Sequence, residues 1–193
     1  MWGTTSENIY FVGTNGNITY YNGQFFQELR RRADAPVQDI WGAGKQDAQE
    51  YDILAPSSEK FDISEKIILE IDSESQEVRR RDWPYQERRI HSCWFKNSRL
   101  IWMCGGGVYV RKNDIWVEFT ELPLIFTNRI RGNDINDIFV VGDFGITAHY
   151  NGINWKVFPE VNSPLYKSLD YKGNLMVAVG DRNGRGIILR MFR

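Results

Sequence analysis

Two cysteines and two histidines are the residues in this sequence best suited to nucleophilic or metal chemistry. His91 and Cys93 are separated by one residue, so on a β-strand their side chains would share a face, as a Cys–His nucleophile pair requires. No third group that could orient this pair is identifiable, and a zinc site needs three or four converging ligands. In the predicted hairpin, Cys93 and Cys104 lie too far apart for a disulfide. We therefore predict two buried thiols, no catalytic residues, no metal site and no cofactor.

The carboxylates form no clearer constellation. Asp143 and Asp181 each follow a Val-Gly pair, at a position that favours turn formation. The segment 181–186, DRNGRG, resembles the start of a calcium-binding loop but lacks the distal glutamate of such a loop. Asp39 and Asp170 lie on predicted first strands, where paired carboxylates could meet as glycoside hydrolysis requires. Because no further motif accompanies them, the sequence predicts a protein that is not an enzyme.

Arginine clusters are the most informative polar feature of the chain. The segments 27–36, QELRRRADAP, and 76–84, QEVRRRDWP, are near-copies of each other. They are predicted to place two arginine triplets near the same rim of the fold: Arg30, Arg31, Arg32, Arg79, Arg80 and Arg81. Charged outer strands prevent sheets from joining edge to edge, which would give these residues a structural role. Alternatively, an arginine-rich rim binds carboxylate or phosphate groups of a partner.

Two aromatic residues, Trp83 and Tyr85, flank Pro84 in a predicted crossover outside the repeated part of the sequence. Their rings are candidates for stacking on a sugar or on the side chain of a partner. Loops held on a rigid scaffold commonly carry recognition. The irregular segments predicted to form a contact surface are 43–50, 57–66 and 83–89.

An internal repeat supplies the elements that must position these residues. Residues 2–29 align without a gap on residues 131–158, and the Val-Gly pair and Tyr-Asn-Gly triplet of each copy coincide. Weaker copies fill the interval and follow the second strong copy. Their equivalent positions, 39, 53, 37 and 38 residues apart, are Trp2, Trp41, Trp94, Arg131 and Leu169. A repeat of this length indicates a fold built from one supersecondary unit used several times.

Each unit resolves into short strands separated by turn residues. Within 126–158, the apolar segment DIFVVG predicts a strand buried on both faces. Asn151-Gly152 predicts a tight type I′ hairpin, in which both central residues have positive φ. An aromatic residue recurs on the fourth strand and is expected to pack between neighbouring units, as Phe26, Trp116 and Trp155. Four antiparallel strands per unit of about 40 residues are typical of a β-propeller blade.

The sequence therefore predicts an all-β fold, a single β-propeller domain over 1–193 with about five four-stranded antiparallel blades. The last unit is predicted to stop after its third strand. This leaves either a ring with an open three-stranded blade or a fragment of a longer propeller, since an unpaired edge promotes aggregation. The approximate unit boundaries are 1–36, 37–84, 85–124, 125–164 and 165–193.

The repeat pattern W-G-(T/S)…D-I-x-x-V-G-x-x-G…Y-N-G-x-x-W resembles that of bacterial cell-envelope β-propellers, some of which are photosystem assembly-factor-like propellers. The resemblance covers the whole chain and is strongest in the first and fourth units. It implies an exported protein, located in the periplasm or at the cell surface. It also implies a non-enzymatic scaffold that binds another protein through loops or the arginine-rich rim. The alternative is a carbohydrate-binding or carbohydrate-active propeller with a glycan ligand.

Composition argues against several other classes of protein. Lys and Arg number 24 against 25 Asp and Glu, so the formal net charge of −1 provides no global field to attract nucleic acid. No apolar run approaches the ~18 residues of a membrane span, so no membrane insertion is predicted. The first residues, MWGTTSEN, contain neither a basic nor an apolar region, so no signal peptide is predicted in this chain.

Overall fold

The computed structural model describes residues 1–44, 50–59, 66–158 and 163–193. Within these residues, 19 strands form five antiparallel sheets, and one short 3-10 turn is the helical element. No helix of the described ranges is long and apolar enough to cross a membrane. The chain divides into two compact units, residues 1–98 and residues 99–193. The prediction of an all-β fold is confirmed.

The first unit contains two complete blades and the first strand of a third. In blade 1 the strands are β1 (Trp2–Thr5), β2 (Asn8–Val12), β3 (Ile18–Tyr21) and β4 (Phe26–Glu28). In blade 2 they are β5 (Trp41–Gly44), β6 (Tyr51–Ser58), β7 (Lys66–Asp72) and β8 (Val78–Asp82). The strand that begins the third blade is β9 (Ile90–Asn97). Within each blade, every strand pairs with its neighbour in sequence.

The second unit contains the remaining strands. Blade 3 is completed by β10 (Leu100–Gly105), β11 (Val108–Lys112) and β12 (Ile115–Glu118). Blade 4 comprises β13 (Thr127–Asp134), β14 (Asp137–Gly142), β15 (Thr147–Tyr150) and β16 (Trp155–Val157), with the 3-10 turn at Asp143–Gly145. Blade 5 comprises β17 (Leu165–Lys172), β18 (Leu175–Arg182) and β19 (Arg185–Phe192). The predicted β-propeller architecture, with five blades of which the last has three strands, is confirmed.

The second strand of blade 4 is apolar from Ile138 to Val141 because both of its faces are covered. In β14, Ile138, Phe139, Val140 and Val141 are all buried. Phe139 and Val141 belong to a core shared with Tyr171 of blade 5. Each fully buried large apolar side chain stabilises the fold by roughly 1.5–3 kcal/mol. The absence of alternation in β14 is therefore a direct consequence of packing blade against blade.

The hairpin at Asn151-Gly152 differs from the predicted type I′ turn. Only Gly152 has a positive φ, of 93°. Asn151 instead accepts hydrogen bonds on its Oδ1 from the backbone N–H groups of Ile153 (2.9 Å) and Asn154 (3.0 Å). The side chain closes a slightly longer turn, so a second residue with positive φ is not required.

Candidate protein-binding surface

The two arginine triplets lie beside each other in the first unit. Chain direction changes after β4, where buried Leu29 donates its backbone N–H to the carbonyl oxygen of Ile18 at 2.9 Å. The first triplet follows in the crossover to blade 2, and the second lies on the outer strand β8. Arg32 Nε donates to the carbonyl oxygen of Val78, 3.1 Å away and 46 residues along the chain. This contact brings the crossover against the start of β8.

The first triplet corrects one detail of the sequence interpretation. Arg30, Arg31 and Arg32 lie beyond the outer strand β4, which ends at Glu28, rather than on it. The outer strand of blade 1 is therefore only three residues long. We refer to the combined set as the arginine surface; it consists of Arg30, Arg31, Arg32, Arg79, Arg80 and Arg81.

Four members of the arginine surface are held by carboxylates. The nitrogen–oxygen distances are 2.6 Å for Arg31–Asp34, 2.9 Å for Arg79–Glu77, 3.5 Å for Arg80–Asp82 and 2.6 Å for Arg81–Glu70. All four arginines are exposed to solvent, where ion pairs contribute little to stability. The pairs instead restrict where each guanidinium points, which lowers the conformational cost of binding a partner.

Arginines outnumber the carboxylates that pair with them on this surface. Six arginines stand against the four paired carboxylates and Asp72, which also attracts Arg79. Arg30 is exposed and forms no side-chain hydrogen bond or ion pair with any residue of the described ranges. A guanidinium is planar and can bind a carboxylate through two parallel hydrogen bonds. The surface is therefore suited to carboxylate groups on a partner.

The predicted aromatic platform beside this surface is not exposed as expected. Trp83 is fully buried, and its backbone N–H donates to the carbonyl oxygen of Lys66 at 3.1 Å. Lys66 is itself buried, and its Nζ donates to the carbonyl oxygen of Gln86. Tyr85 is half-buried, with its ring centroid 5.6 Å from that of Trp83. The expectation that Trp83 offers its ring to a ligand is therefore wrong, because the segment after β8 folds over its own tryptophan.

Two of the three predicted contact loops lie partly outside the described residues. In 43–50 and 57–66, residues 45–49 and 60–65 lie outside the described residues. Ser57 and Ser58 are not loop residues, since they end the strand β6 and are buried. Their hydroxyls donate to the backbone carbonyls of Ala35 and Ile90, respectively.

Both cysteines are buried free thiols, as predicted from the sequence. The Sγ atom of Cys93 lies 3.4 Å from the carbonyl oxygen of Leu54, and that of Cys104 lies 3.6 Å from the carbonyl oxygen of Thr127. Neither sulfur reaches solvent. A nucleophile must meet its substrate, so the geometry gives no support to a His91–Cys93 pair.

Three of the carboxylates named in the sequence analysis form hydrogen bonds or an ion pair within the fold. Asp39 is buried and accepts hydrogen bonds from the Ser92 hydroxyl (2.6 Å) and the Cys93 N–H (3.4 Å). Asp143 accepts from Asn128 at 2.8 Å, and Asp181 forms an ion pair with Lys167 at 2.9 Å. Asp170 is exposed on β17. Across the described ranges, no group of three or more His, Cys, Asp or Glu side chains is arranged to hold a metal ion.

A polar cluster in the second unit centres on Asp137, which the sequence analysis missed. His149 Nε2 lies 2.7 Å from Asp137 Oδ1, and the Tyr171 hydroxyl donates to both oxygens at 3.0 and 2.9 Å. Arg193 Nη1 and Asn133 Nδ2 lie 2.5 and 3.4 Å from the same carboxylate. The cluster joins blade 4 to blade 5 through polar contacts beside the apolar core.

Electrostatics stabilise the ionised form of this carboxylate. Burial raises the pKa of Asp137, but hydrogen bonds from His149, Tyr171 and Asn133 and the charge of Arg193 outweigh burial. The net result is a pKa below the ordinary value of 3.8. Burial also raises the pKa of Tyr171, which stays protonated as a donor. Every oxygen is engaged, so the arrangement is suited to holding two blades together.

A sequence signal for this cluster exists in the repeat. Asp137 and His149 occupy the places of Asn8 and Tyr20 in the first unit. The two changes occur together, from an amide and a phenol to a carboxylate and an imidazole. A carboxylate and an imidazole can bond to each other, which is the signal that the fourth unit offers.

Solved structures with low sequence identity share this fold. A structure described as "YCF48 bound to D1 peptide" is 15% identical in sequence and has a TM-score of 0.69. The alignment covers 100% of this chain and 65% of the YCF48 chain. YCF48 from Cyanidioschyzon merolae is 13% identical with a TM-score of 0.67, covering 98% of this chain and 65% of its own. The computationally designed Ika8 protein is 12% identical with a TM-score of 0.68, covering 98% of this chain and 57% of its own.

These comparisons establish the fold as a β-propeller. The chain spans less than two thirds of the length of the three solved structures. No family model and no curated protein matches the sequence. Fold and surface together define a β-propeller with an exposed arginine surface on its second blade and the preceding crossover.

Proposed function

We propose that this chain is a non-enzymatic β-propeller scaffold that binds another protein through its arginine surface. The observation that carries the proposal is the Arg32–Val78 hydrogen bond, which joins two arginine triplets into one arginine-rich surface. The surface rests on β8 and on a crossover anchored by buried Leu29, so its guanidinium groups are held on a rigid support. Rigid presentation reduces the entropy lost on binding.

The partner chemistry follows from the surface itself. Guanidinium groups bind carboxylates strongly and in a defined orientation, so the favoured partner is a peptide segment rich in Asp or Glu, or a free C-terminal carboxylate. The similar structure of YCF48 bound to D1 peptide supports peptide binding by a fold of this shape. The repeat resemblance supports a placement of this scaffold outside the cytoplasm, in the bacterial cell envelope.

The carbohydrate alternative receives no such support. A sugar-binding site commonly presents an aromatic face to the ring of the ligand. Trp83 is fully buried and offers no face, and Tyr85 is half-buried with its ring against Trp83.

The experiment measures fluorescence anisotropy of a labelled glutamate-rich peptide titrated with the protein. We expect binding that weakens as salt is added, because exposed charges are screened. Replacing the second triplet (R79S, R80S and R81S together) should weaken binding by about tenfold or more, the loss of more than ~1.4 kcal/mol. The thermal midpoint should change little, since surface ion pairs contribute little to stability.

A matched control places the same change elsewhere. Arg182 and Arg185 are exposed on the hairpin of blade 5, so R182S with R185S removes arginine charge without touching the arginine surface. This control should retain binding. Equal weakening by both sets of changes would show that general charge attracts the peptide and would contradict the proposal. So would a large fall in the melting temperature of the R79S, R80S and R81S variant.

A further inference from the structure

An asparagine followed by a glycine occurs four times in the chain, each time in a turn between two strands. These dipeptides are Asn15-Gly16, Asn22-Gly23, Asn151-Gly152 and Asn183-Gly184. Because glycine has no side chain, its backbone nitrogen can approach the amide carbon of the preceding asparagine closely. Attack at that carbon starts the conversion of asparagine to aspartate without an enzyme. It requires an amide that can turn and a peptide plane that can rotate until the reacting atoms meet.

Two of the four asparagines are held by hydrogen bonds within their own turns. Asn22 Oδ1 accepts two backbone N–H groups, both at 3.0 Å, and Asn151 Oδ1 accepts two, at 2.9 and 3.0 Å. In each turn a tyrosine hydroxyl also donates to the carbonyl oxygen of the glycine, at 2.8 Å for Tyr21 and 3.0 Å for Tyr150. Attack in either turn therefore requires several hydrogen bonds to break first.

The turn at Asn15 is held by packing instead. Asn15 and Gly16 both have positive φ, of 55° and 68°, as in a type I′ turn. Asn15 is exposed, but Gly16 is buried against the crossover that follows β4. A Cβ atom on Gly16 would lie 2.0 Å from the carbonyl oxygen of Ala33. The peptide plane between Asn15 and Gly16 therefore cannot rotate without displacing the backbone of that crossover.

The turn at Asn183 has the same backbone conformation without either restraint. Asn183 and Gly184, with φ of 52° and 76°, close a two-residue hairpin between β18 and β19. Both residues are exposed, and no atom of the described residues lies within 4 Å of the position that a Cβ on Gly184 would occupy. The Asn183 amide forms no hydrogen bond with any residue in the described ranges. Among the four dipeptides, this one alone has an amide and a peptide plane that can both move.

We propose that Asn183 is a site of spontaneous deamidation in the folded protein. The backbone nitrogen of Gly184 forms a bond to Asn183 Cγ, and the bond from Cγ to the side-chain nitrogen breaks. The proton from the Gly184 N–H leaves with that nitrogen as ammonia, and a five-membered succinimide ring remains. Water then adds to either ring carbonyl and opens the ring to aspartate or isoaspartate. One water is consumed and one ammonia is released, with no change of oxidation state.

Either product changes the end of the blade 5 hairpin. The new carboxyl group is ionised at neutral pH and lies between Arg182 and Arg185, which pair in register and are both exposed. Isoaspartate also adds a methylene group to the backbone of a turn whose length sets the pairing of its strands. Deamidation therefore places a negative charge beside two arginines, and the isoaspartate form alters the turn that joins them.

The experiment compares conversion at the four dipeptides in the native and the unfolded chain. The protein is incubated in mildly alkaline buffer, digested with a protease that is active in acid, and analysed by mass spectrometry. In the native protein, conversion at Asn183 should be about tenfold or more faster than at Asn15, Asn22 or Asn151. In guanidinium chloride the four rates should become comparable, because the restraints of the fold are gone. Water enriched in a heavy isotope of oxygen should label the new carboxylate.

A pair of glycine variants tests the cyclic route. In G184A the added methyl group hinders approach to the attacking nitrogen, so conversion at Asn183 should slow about tenfold or more. Gly173 also has a positive φ, of 61°, and is equally open, but it follows a lysine, so G173A should leave the rate at Asn183 unchanged. The thermal midpoint checks that both variants are folded.

Three results would overturn the proposal. The first is a native rate at Asn183 that is no higher than the rate at Asn15. The second is undiminished conversion at Asn183 in G184A, because the Gly184 nitrogen would then not be the attacking atom. The third is a product that contains aspartate but no isoaspartate, since a succinimide ring opens to both.

Discussion

His149 Nε2 lies 2.7 Å from Asp137 Oδ1, between the neighbouring strands β15 and β14 of blade 4. Tyr171, from blade 5, donates to both oxygens of the same carboxylate. The His149 ring also packs on Phe139, with centroids 4.4 Å apart, and Phe139 in turn meets Tyr171 at 4.8 Å. Polar and apolar contacts between the two blades therefore share the same residues.

Replacing Asp137 by asparagine should destabilise the protein at neutral pH. The substitution keeps the size of the side chain but removes the charge that three donors and Arg193 recognise. Hydrogen bonds to a charged group are worth more than neutral ones, so the expected loss is about 2 kcal/mol of unfolding free energy. Urea denaturation measures it. D114N is the control, because the Asp114 side chain is 95% exposed.

The pH dependence of this loss should have a definite sign. The folded-state pKa of Asp137 lies below its ordinary value of 3.8, so the folded protein resists protonation there more than the unfolded chain does. The stabilisation is fully present above pH 3.8 and is lost as the pH falls through the folded-state pKa. The difference in stability between wild type and D137N should therefore shrink below that pH. A difference that stays constant through the acid range would contradict the assignment.

Adjacent arginines on the arginine surface should differ in their effect on stability. Arg32 is half-buried and bonded to the Val78 carbonyl, whereas Arg30 is exposed. R32A should lower the unfolding free energy by about 1 kcal/mol, which corresponds to roughly 2–4 °C in thermal midpoint for a chain of this size. R30A should leave the midpoint unchanged. Equal midpoints for both variants would show that the Arg32 contact does not hold the crossover.

The cysteines should be unreactive until the protein unfolds. Cys93 and Cys104 are fully buried, and thiolate chemistry requires access to the reagent. A thiol-reactive chromophore should label neither residue in the native protein and both in denaturant. S98C introduces a thiol at an exposed hairpin position and should react at once, which shows that the reagent is active. Rapid labelling of the native wild type would contradict the observed burial.

The repeat made the blades predictable because glycines and strand lengths recur at fixed offsets. Strands such as β14, apolar on both faces, already indicated sheets stacked against each other. The position of the hairpin at Asn151 was predicted correctly, but its turn type was not. The turn type depends on the hydrogen bonds that the Asn151 side chain accepts, which a local sequence pattern does not specify.

Long-range contacts explain what the sequence did not predict. Trp83 follows a charged strand and precedes a proline, which favoured an exposed crossover. Its burial depends on backbone pairing with Lys66, 17 residues earlier in the chain. Likewise, Asp137 and Tyr171 are 34 residues apart and meet only because consecutive blades stack. Local patterns describe a blade well but do not specify which side chains meet between blades.

Equivalent glycines in two blades should tolerate alanine very differently. Gly13 and Gly180 both end the Val-Gly pair of their repeat unit. A methyl group at Gly180 would overlap the carbonyl oxygen of Leu165, whereas a methyl group at Gly13 would meet no atom within 4 Å. Because backbone atoms cannot move aside without disturbing β17, G180A should lower the unfolding free energy by about 2 kcal/mol or more. G13A should be close to neutral, since any residue can adopt the backbone conformation of Gly13.

Thermal and urea denaturation of the two variants side by side measure the contrast. Similar destabilisation by both would mean that the repeat requires glycine for a reason other than the close approach of β17 to β18.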